Sequence, residues 1–186
     1  KKMKITTAKG LRAERSGYVE IKEMPLVRRI IKDVGKNGDA ALRKYSCRFD
    51  GMERVSFELT KEEIRQAYVQ VNPKAILAMK KAAKNIRFFA REQFREMKNF
   101  RVSRRGMILG QRIVPIEKVG CYVPGGRYPL PSTALMCVIP AKLAGVSEVI
   151  VCSPKIKPAT IVAADIAGAD RIFSLGGSQA IAAMAY

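Results

Sequence analysis

The rhythm of the last third of this chain restricts its fold more than any other feature. From Glu117 to Tyr186 short apolar runs of strand length alternate with helical patterns, and glycine or proline marks each join. Val119-Gly120-Cys121-Tyr122-Val123 reads as a buried strand, and Pro124 to Pro129 as a loop. A helix capped by Ser132 or Thr133 follows, carrying Leu135, Met136, Val138, Ile139 and Leu143 and stopping at Gly145. Glu148 to Cys152 is a second strand, closed by the Ser153-Pro154 loop, and Pro158 to Ala167 a second helix ended by Gly168. Arg171 to Leu175 is a third strand, and Gly176-Gly177 turns into a third helix capped by Ser178. Near-continuous apolar strands need cover on both faces, which a parallel sheet with helical crossovers supplies. The fold class predicted is α/β: a helical N-terminal part followed by a βαβαβα parallel sheet.

The upstream part has a different character, and we place a boundary at Pro115, with residues 1–115 and 116–186 as the two parts. Residues 1–115 carry 29 Lys and Arg against 12 Asp and Glu, whereas residues 116–186 carry 6 against 4. Leu26, Val27, Ile30, Ile31 and Val34 trace one helix face, Gly35 to Gly38 breaks it, and Asp39 opens a second helix that ends at Phe49-Asp50-Gly51. Val55 to Leu59 alternates like a strand, and Thr60 with Glu63 forms a capping box. The longest helix is predicted from Pro73 to about Phe100, burying Ile76, Met79, Ala83, Ile86, Ala90, Phe94 and Met97. Its Lys80, Lys84, Arg87, Arg91, Arg95 and Lys98 form a second stripe: a solvated face in the simplest reading, a polyanion-binding face in the alternative one. Gly106 to Pro115 reads as paired strands, Met107 to Leu109 with Arg112 to Val114.

Several function classes recede on composition. The chain has no histidine, the usual general base and commonest zinc ligand. Its four cysteines are scattered without metal-type spacing, and three sit in apolar segments as reduced core thiols. No apolar run reaches the ~20 residues of a membrane span, and Lys1 to Thr6 lacks the core of a secretory signal, so a cytoplasmic protein is expected.

Ligands of open parallel sheets bind beyond the carboxyl ends of the strands. Two loops fall there: Tyr122-Val123-Pro124-Gly125-Gly126, and Gly176-Gly177-Ser178-Gln179. The glycines allow close backbone approach, and free N–H groups at a helix start favour an anion such as a pyrophosphate. Neither loop has the GxGxxG spacing of a dinucleotide fingerprint, so on residues alone a nucleotide site and a pair of tight turns both stay open.

The run VGCYVPGGRYPLPSTALMCVIPAKLAGVSEVIVCSP resembles the signature region of histidinol dehydrogenases, and FSLGGSQAIAAMAY resembles that family's next block. GDAALRKYSCRFDG and LGQRIVPIEKVG are similar to its upstream parts, so the likeness runs from about Val19 to Tyr186. The resemblance implies incomplete Rossmann-like domains. It also implies NAD-dependent oxidation of L-histidinol through histidinaldehyde to L-histidine, with a bound zinc holding the substrate. It makes Tyr122 and Gln179 cofactor contacts, supported by Pro124, Gly125 and Gly126 of the first loop. The family's acid–base Glu-His pair and its zinc ligands lie further along than this chain extends, so the 186 residues alone are expected to be inactive. Ala90 follows Phe88-Phe89 where the family commonly has histidine. The resemblance further implies a homodimer of the full-length protein. The alternative is a shortened, non-catalytic relative that binds an anionic partner such as nucleic acid through the basic N-terminal part.

Overall fold

The computed structural model describes residues 22–125 and 128–186. Its centre is a three-stranded parallel sheet of β3 (Lys118–Tyr122), β4 (Glu148–Ser153) and β5 (Arg171–Ser174), in that spatial order. Tyr122 pairs with Cys152 and Ser153 with Ser174, so the three carboxyl ends finish along one edge. Helices α4 (Pro131–Leu143) and α5 (Pro158–Ala167) make the crossovers. They bring Leu135, Val138, Ile139 and Val162 into one core with Val149, Val151 and Ile172. The opposite strand positions turn Cys152 and Phe173 toward a second core with Ile30, Leu42 and Tyr45 of α1 (Met24–Tyr45) and Ala180 and Ala182 of α6 (Gly177–Ala185). This division follows from the two-residue side-chain period of strands.

Sequence expectation and structure differ at several joins. Helix α4 starts at Pro131 with no side-chain cap, rather than being capped by Ser132 or Thr133, because the fixed φ of proline suits the first helical position. Helix α6 starts at Gly177 behind Gly176, and Ser178 lies inside it instead of capping it. The break expected over Gly35 to Gly38 narrows to Gly38, whose φ of 50° and ψ of −130° interrupt an otherwise continuous α1. Asp33, before the break, accepts from Lys44 Nζ at 2.8 Å and Tyr45 Oη at 2.7 Å after it. The chain then tightens into a π-helical turn, Ser46–Asp50, closed by left-handed Gly51.

Val55 to Leu59 contributes a single antiparallel bridge to β5, Glu58 opposite Phe173, in place of a full strand. It still covers that edge: Leu59 N–H donates to the Ile172 carbonyl and Ser174 N–H to that of Phe57, both at 2.8 Å. Helix α2 (Lys61–Gln70) opens with the expected capping box of Thr60 and Glu63. Helix α3 (Pro73–Arg95) ends five residues before Phe100 and buries Met79, Ala83 and Ala90. Phe94, in the last turn, and Met97, beyond the helix end, are exposed although expected in the same stripe. The chain turns instead into a hairpin of β1 (Phe100–Arg104) and β2 (Met107–Gln111). The partner of Met107 to Leu109 is therefore upstream, not Arg112 to Val114. Arg105 (φ 48°) and Gly106 (φ 79°) make the two-residue turn that matches strand twist. Cys121 and Cys152 are buried as expected of core thiols, whereas Cys137 is exposed on α4.

Candidate functional site

The two glycine loops flagged in the sequence meet at the carboxyl edge of the sheet. Tyr122 closes β3 half-buried, and its hydroxyl oxygen accepts the Gly177 N–H at 3.1 Å. That bond ties the first loop to the start of α6 and leaves the phenol's own proton free to donate. A hydroxyl that already accepts a hydrogen bond is the stronger donor for it. The first-turn amides of a helix have no intrahelical partner, and Gly176 supplies no side-chain cap, so the start of α6 is suited to an anion.

Gln179 is 1% exposed, and among the described residues neither its Nε2 nor its Oε1 has a hydrogen-bond partner. Burying an unpaired amide is costly, and a group that paired with it would offset that cost. Gly177 makes its placement possible: at φ 69° it tolerates the left-handed turn, and a Cβ there would lie 2.5 Å from Gln179 Oε1. Gly125 is buried, and a Cβ on it would meet Ser153 Oγ at 2.7 Å, whereas Pro124 is exposed on the outer side of the loop. Gly120, on β3, backs directly onto Met184 of α6, where an added Cβ would lie 3.1 Å from the Met184 Cβ. Gly126, expected in the same loop, lies outside the described residues.

The structure adds a residue that the sequence reading does not single out. Ser153, at the end of β4, is 1% exposed and its hydroxyl has no partner among the described residues. A polar residue closing an apolar strand at the carboxyl edge was the signal available for it. Among the described residues no group of three or more His, Cys, Asp and Glu comes together as a metal site, so none is assigned to zinc. No described helix is long and apolar enough to cross a membrane.

The family profile described as histidinol dehydrogenase matches residues 13–186. The chain belongs to the histidinol dehydrogenase family. A histidinol dehydrogenase of Methanococcus maripaludis is 48% identical over 167 residues, covering 88% of this chain and 39% of the relative. One from Clostridium acetobutylicum is 40% identical over 179 residues, covering 93% and 41%. The crystal structure of histidinol dehydrogenase from Elizabethkingia anophelis superposes with a TM-score of 0.81 at 32% identity, over 88% of this chain and 39% of that one. The chain thus spans about two fifths of the length of the histidinol dehydrogenases it matches. The α/β fold of this chain agrees with that neighbour.

Proposed function

We propose that this chain supplies the NAD-binding part of a histidinol dehydrogenase that oxidises L-histidinol through histidinaldehyde to L-histidine. The observation that carries the reading is the buried, unpartnered amide of Gln179 beside the Tyr122–Gly177 hydrogen bond, at the carboxyl edge of a parallel sheet. Tyr122 donates its phenolic proton to the cofactor, Gln179 offers both a donor and an acceptor, and Gly125 with Gly126 and Pro124 lets the loop backbone approach. NAD, when bound, takes the hydride; these residues orient it and exclude water from one side. The residues that move the hydroxyl proton and hold zinc belong to the part of the protein beyond the match, as does most of the L-histidinol contact surface.

We also propose that residues 1–115 form the mainly helical part of the first domain and residues 116–186 its Rossmann-like part. Homodimer formation is supported by the hairpin β1–β2, on which Phe100, Val102, Met107, Ile108 and Leu109 are all more than half exposed. A cytoplasmic location suits such an enzyme. The test is calorimetric titration of the complete polypeptide with NAD. Tyr122→Phe and Gln179→Ala should each weaken binding roughly three- to tenfold, the range of one neutral hydrogen bond, with circular dichroism unchanged. Unaltered NAD affinity in both variants would overturn the assignment. Turnover of L-histidinol by a verified chain of these 186 residues would overturn the division of roles.

The second reading, an anionic partner on the basic part, rests on Lys80, Lys84, Arg87 and Arg91, which form no ion pair with any described residue. It requires nucleic-acid binding that falls steeply with salt and vanishes when Lys84, Arg87 and Arg91 are reversed in charge.

A further inference from the structure

Helix α3 carries seven Lys and Arg against one acidic residue, Glu92. Its inner side is settled, because Met79 and Ala83 join the core of Leu135 and Val162 from the crossover helices. On its outer side Lys81, Lys84, Phe88, Arg91 and Arg95 follow one another at steps of three and four, which sets them in one row along the helix. All five are exposed, and Phe88, in the middle of the row, is 68% exposed. Among the described residues Arg95 pairs with Glu92 at 2.6 Å, whereas Lys81, Lys84 and Arg91 have no ion pair.

This row is unfavourable as a plain solvated face. Like charges three or four residues apart weaken a helix. Phenylalanine is a poorer helix former than alanine, lysine or arginine, so local propensity does not explain an exposed ring at position 88. Both costs become gains against a partner that is anionic and presents flat π faces. An unpaired polynucleotide strand is such a partner, since cations track its phosphates while an aromatic side chain stacks on a base. A duplex keeps its base faces inside its own stack and would leave the ring unused. A helix that lies on a bilayer inserts a continuous apolar face, and the apolar face of α3 is the one turned into the core. From Lys81 to Arg95 the row is about 21 Å long at about 1.5 Å per residue, enough for several nucleotides. Its far end is remote from the cofactor edge: Ala90 and Phe94 line one cleft with Val119, near the start of β3, and Val146, ahead of β4.

We propose that the Lys81–Arg95 row of α3 is a platform for single-stranded nucleic acid, in which Phe88 stacks on a base and Lys84 and Arg91, on either side of it, hold the adjoining phosphates. The inference rests on the second reading given above and narrows it from any polyanion to an unpaired strand.

The experiment follows the fluorescence anisotropy of a labelled thymidine oligonucleotide of about 15 residues with the complete polypeptide, beside a duplex of equal length. Co-sedimentation with phosphatidylserine vesicles is the third arm. The single strand should bind about fivefold or more tighter than the duplex, the range of one base stacked on an aromatic ring. The logarithm of its affinity should fall with the logarithm of salt at a slope of about −2 to −3, as three or four phosphate contacts give. Phe88→Ala and Phe88→Leu should each weaken the single strand by about fivefold or more and leave the duplex within about twofold, whereas Phe88→Tyr keeps wild-type affinity. Reversing Lys84 and Arg91 together to glutamate should abolish binding, with circular dichroism unchanged. If strand and duplex bind alike, or Phe88→Leu matches wild type, the stacking platform is refuted and the anionic-partner reading stands. Binding to the vesicles in preference to the oligonucleotide also refutes it. If neither nucleic acid binds even at low salt, the second reading fails and this inference with it.

Discussion

Replacing Gln179 with leucine should move stability and cofactor binding in opposite directions. The side chain is enclosed by the start of α6, at 1% exposure, and both amide heteroatoms are unpaired. Leucine fills nearly the same volume and removes both atoms from the ledger of desolvated polar groups. Leaving a buried polar group unsatisfied costs about 1–3 kcal/mol, which is the stabilisation expected of Gln179→Leu in the absence of ligand. For a folded unit of this size that corresponds to a rise of about 3–10 °C in melting temperature. The same change removes a donor and an acceptor from the cofactor, so NAD should raise the melting temperature of the variant less than that of wild type. Gln179→Glu is the control: an ionised carboxylate in the same enclosure is far costlier than an amide and should lower the melting temperature sharply. Differential scanning fluorimetry of the three proteins, with and without NAD, reads all of this. A lower ligand-free melting temperature for Gln179→Leu would refute the reasoning, because it would mean that the amide already has partners and is structural.

Two further outcomes follow from the electrostatics. The hydrogen bond from Lys44, then those from Tyr45 and Asn37, hold the Asp33 carboxyl well below the usual carboxylate range. Its contribution is therefore complete above the unfolded value of about 3.9 and is lost as pH falls through the lower folded one. The gap in unfolding midpoint between wild type and Asp33→Asn should shrink below about pH 4, and a gap constant from neutral pH into strong acid would contradict this. Burial pushes the Cys121 thiol up to about 11 and that of Cys152 up to about 12, while Cys47 and Cys137 are exposed. Iodoacetamide at pH 8 followed by peptide mass spectrometry should label Cys47 and Cys137 first, and equal rates at all four would show that the sheet opens readily.

The parts of the fold that were legible are those in which one local signal decides. Thr60 and Glu63 satisfy each other's backbone amides, at 3.1 and 2.8 Å, and no tertiary contact is needed to make that so. Pro158 and Gly168 bracket α5 because one presets helical φ and the other accepts a left-handed φ of 92°. Misreadings came where local signals compete with long-range ones. Met107-Ile108-Leu109 has strand character whichever neighbour it pairs with, and the Arg105-Gly106 turn, not the apolar pattern, selects Phe100–Arg104 as the partner. Phe94 and Met97 keep the spacing of the buried stripe on α3, yet periodicity says only which way a side chain points and not whether anything lies there to cover it.

The candidate site divides along the same line. Tyr122, Gly125 and Gln179 were visible because their loops sit at strand ends, a position that the βα rhythm alone establishes. Ser153 was not, since what singles it out is burial without a partner among the described residues, and that depends on how the loop after β3 packs over the end of β4. Natural cores pair nearly all of their buried polar groups, which makes Ser153 Oγ and the Gln179 amide exceptions at this edge. Beneath that edge Val149, Val151, Val138 and Val162 are wholly buried and carry no polar side-chain atoms to satisfy. Stability is thus concentrated in an apolar lower sheet, while the unpaired polar atoms of Ser153 and Gln179 lie at its upper rim.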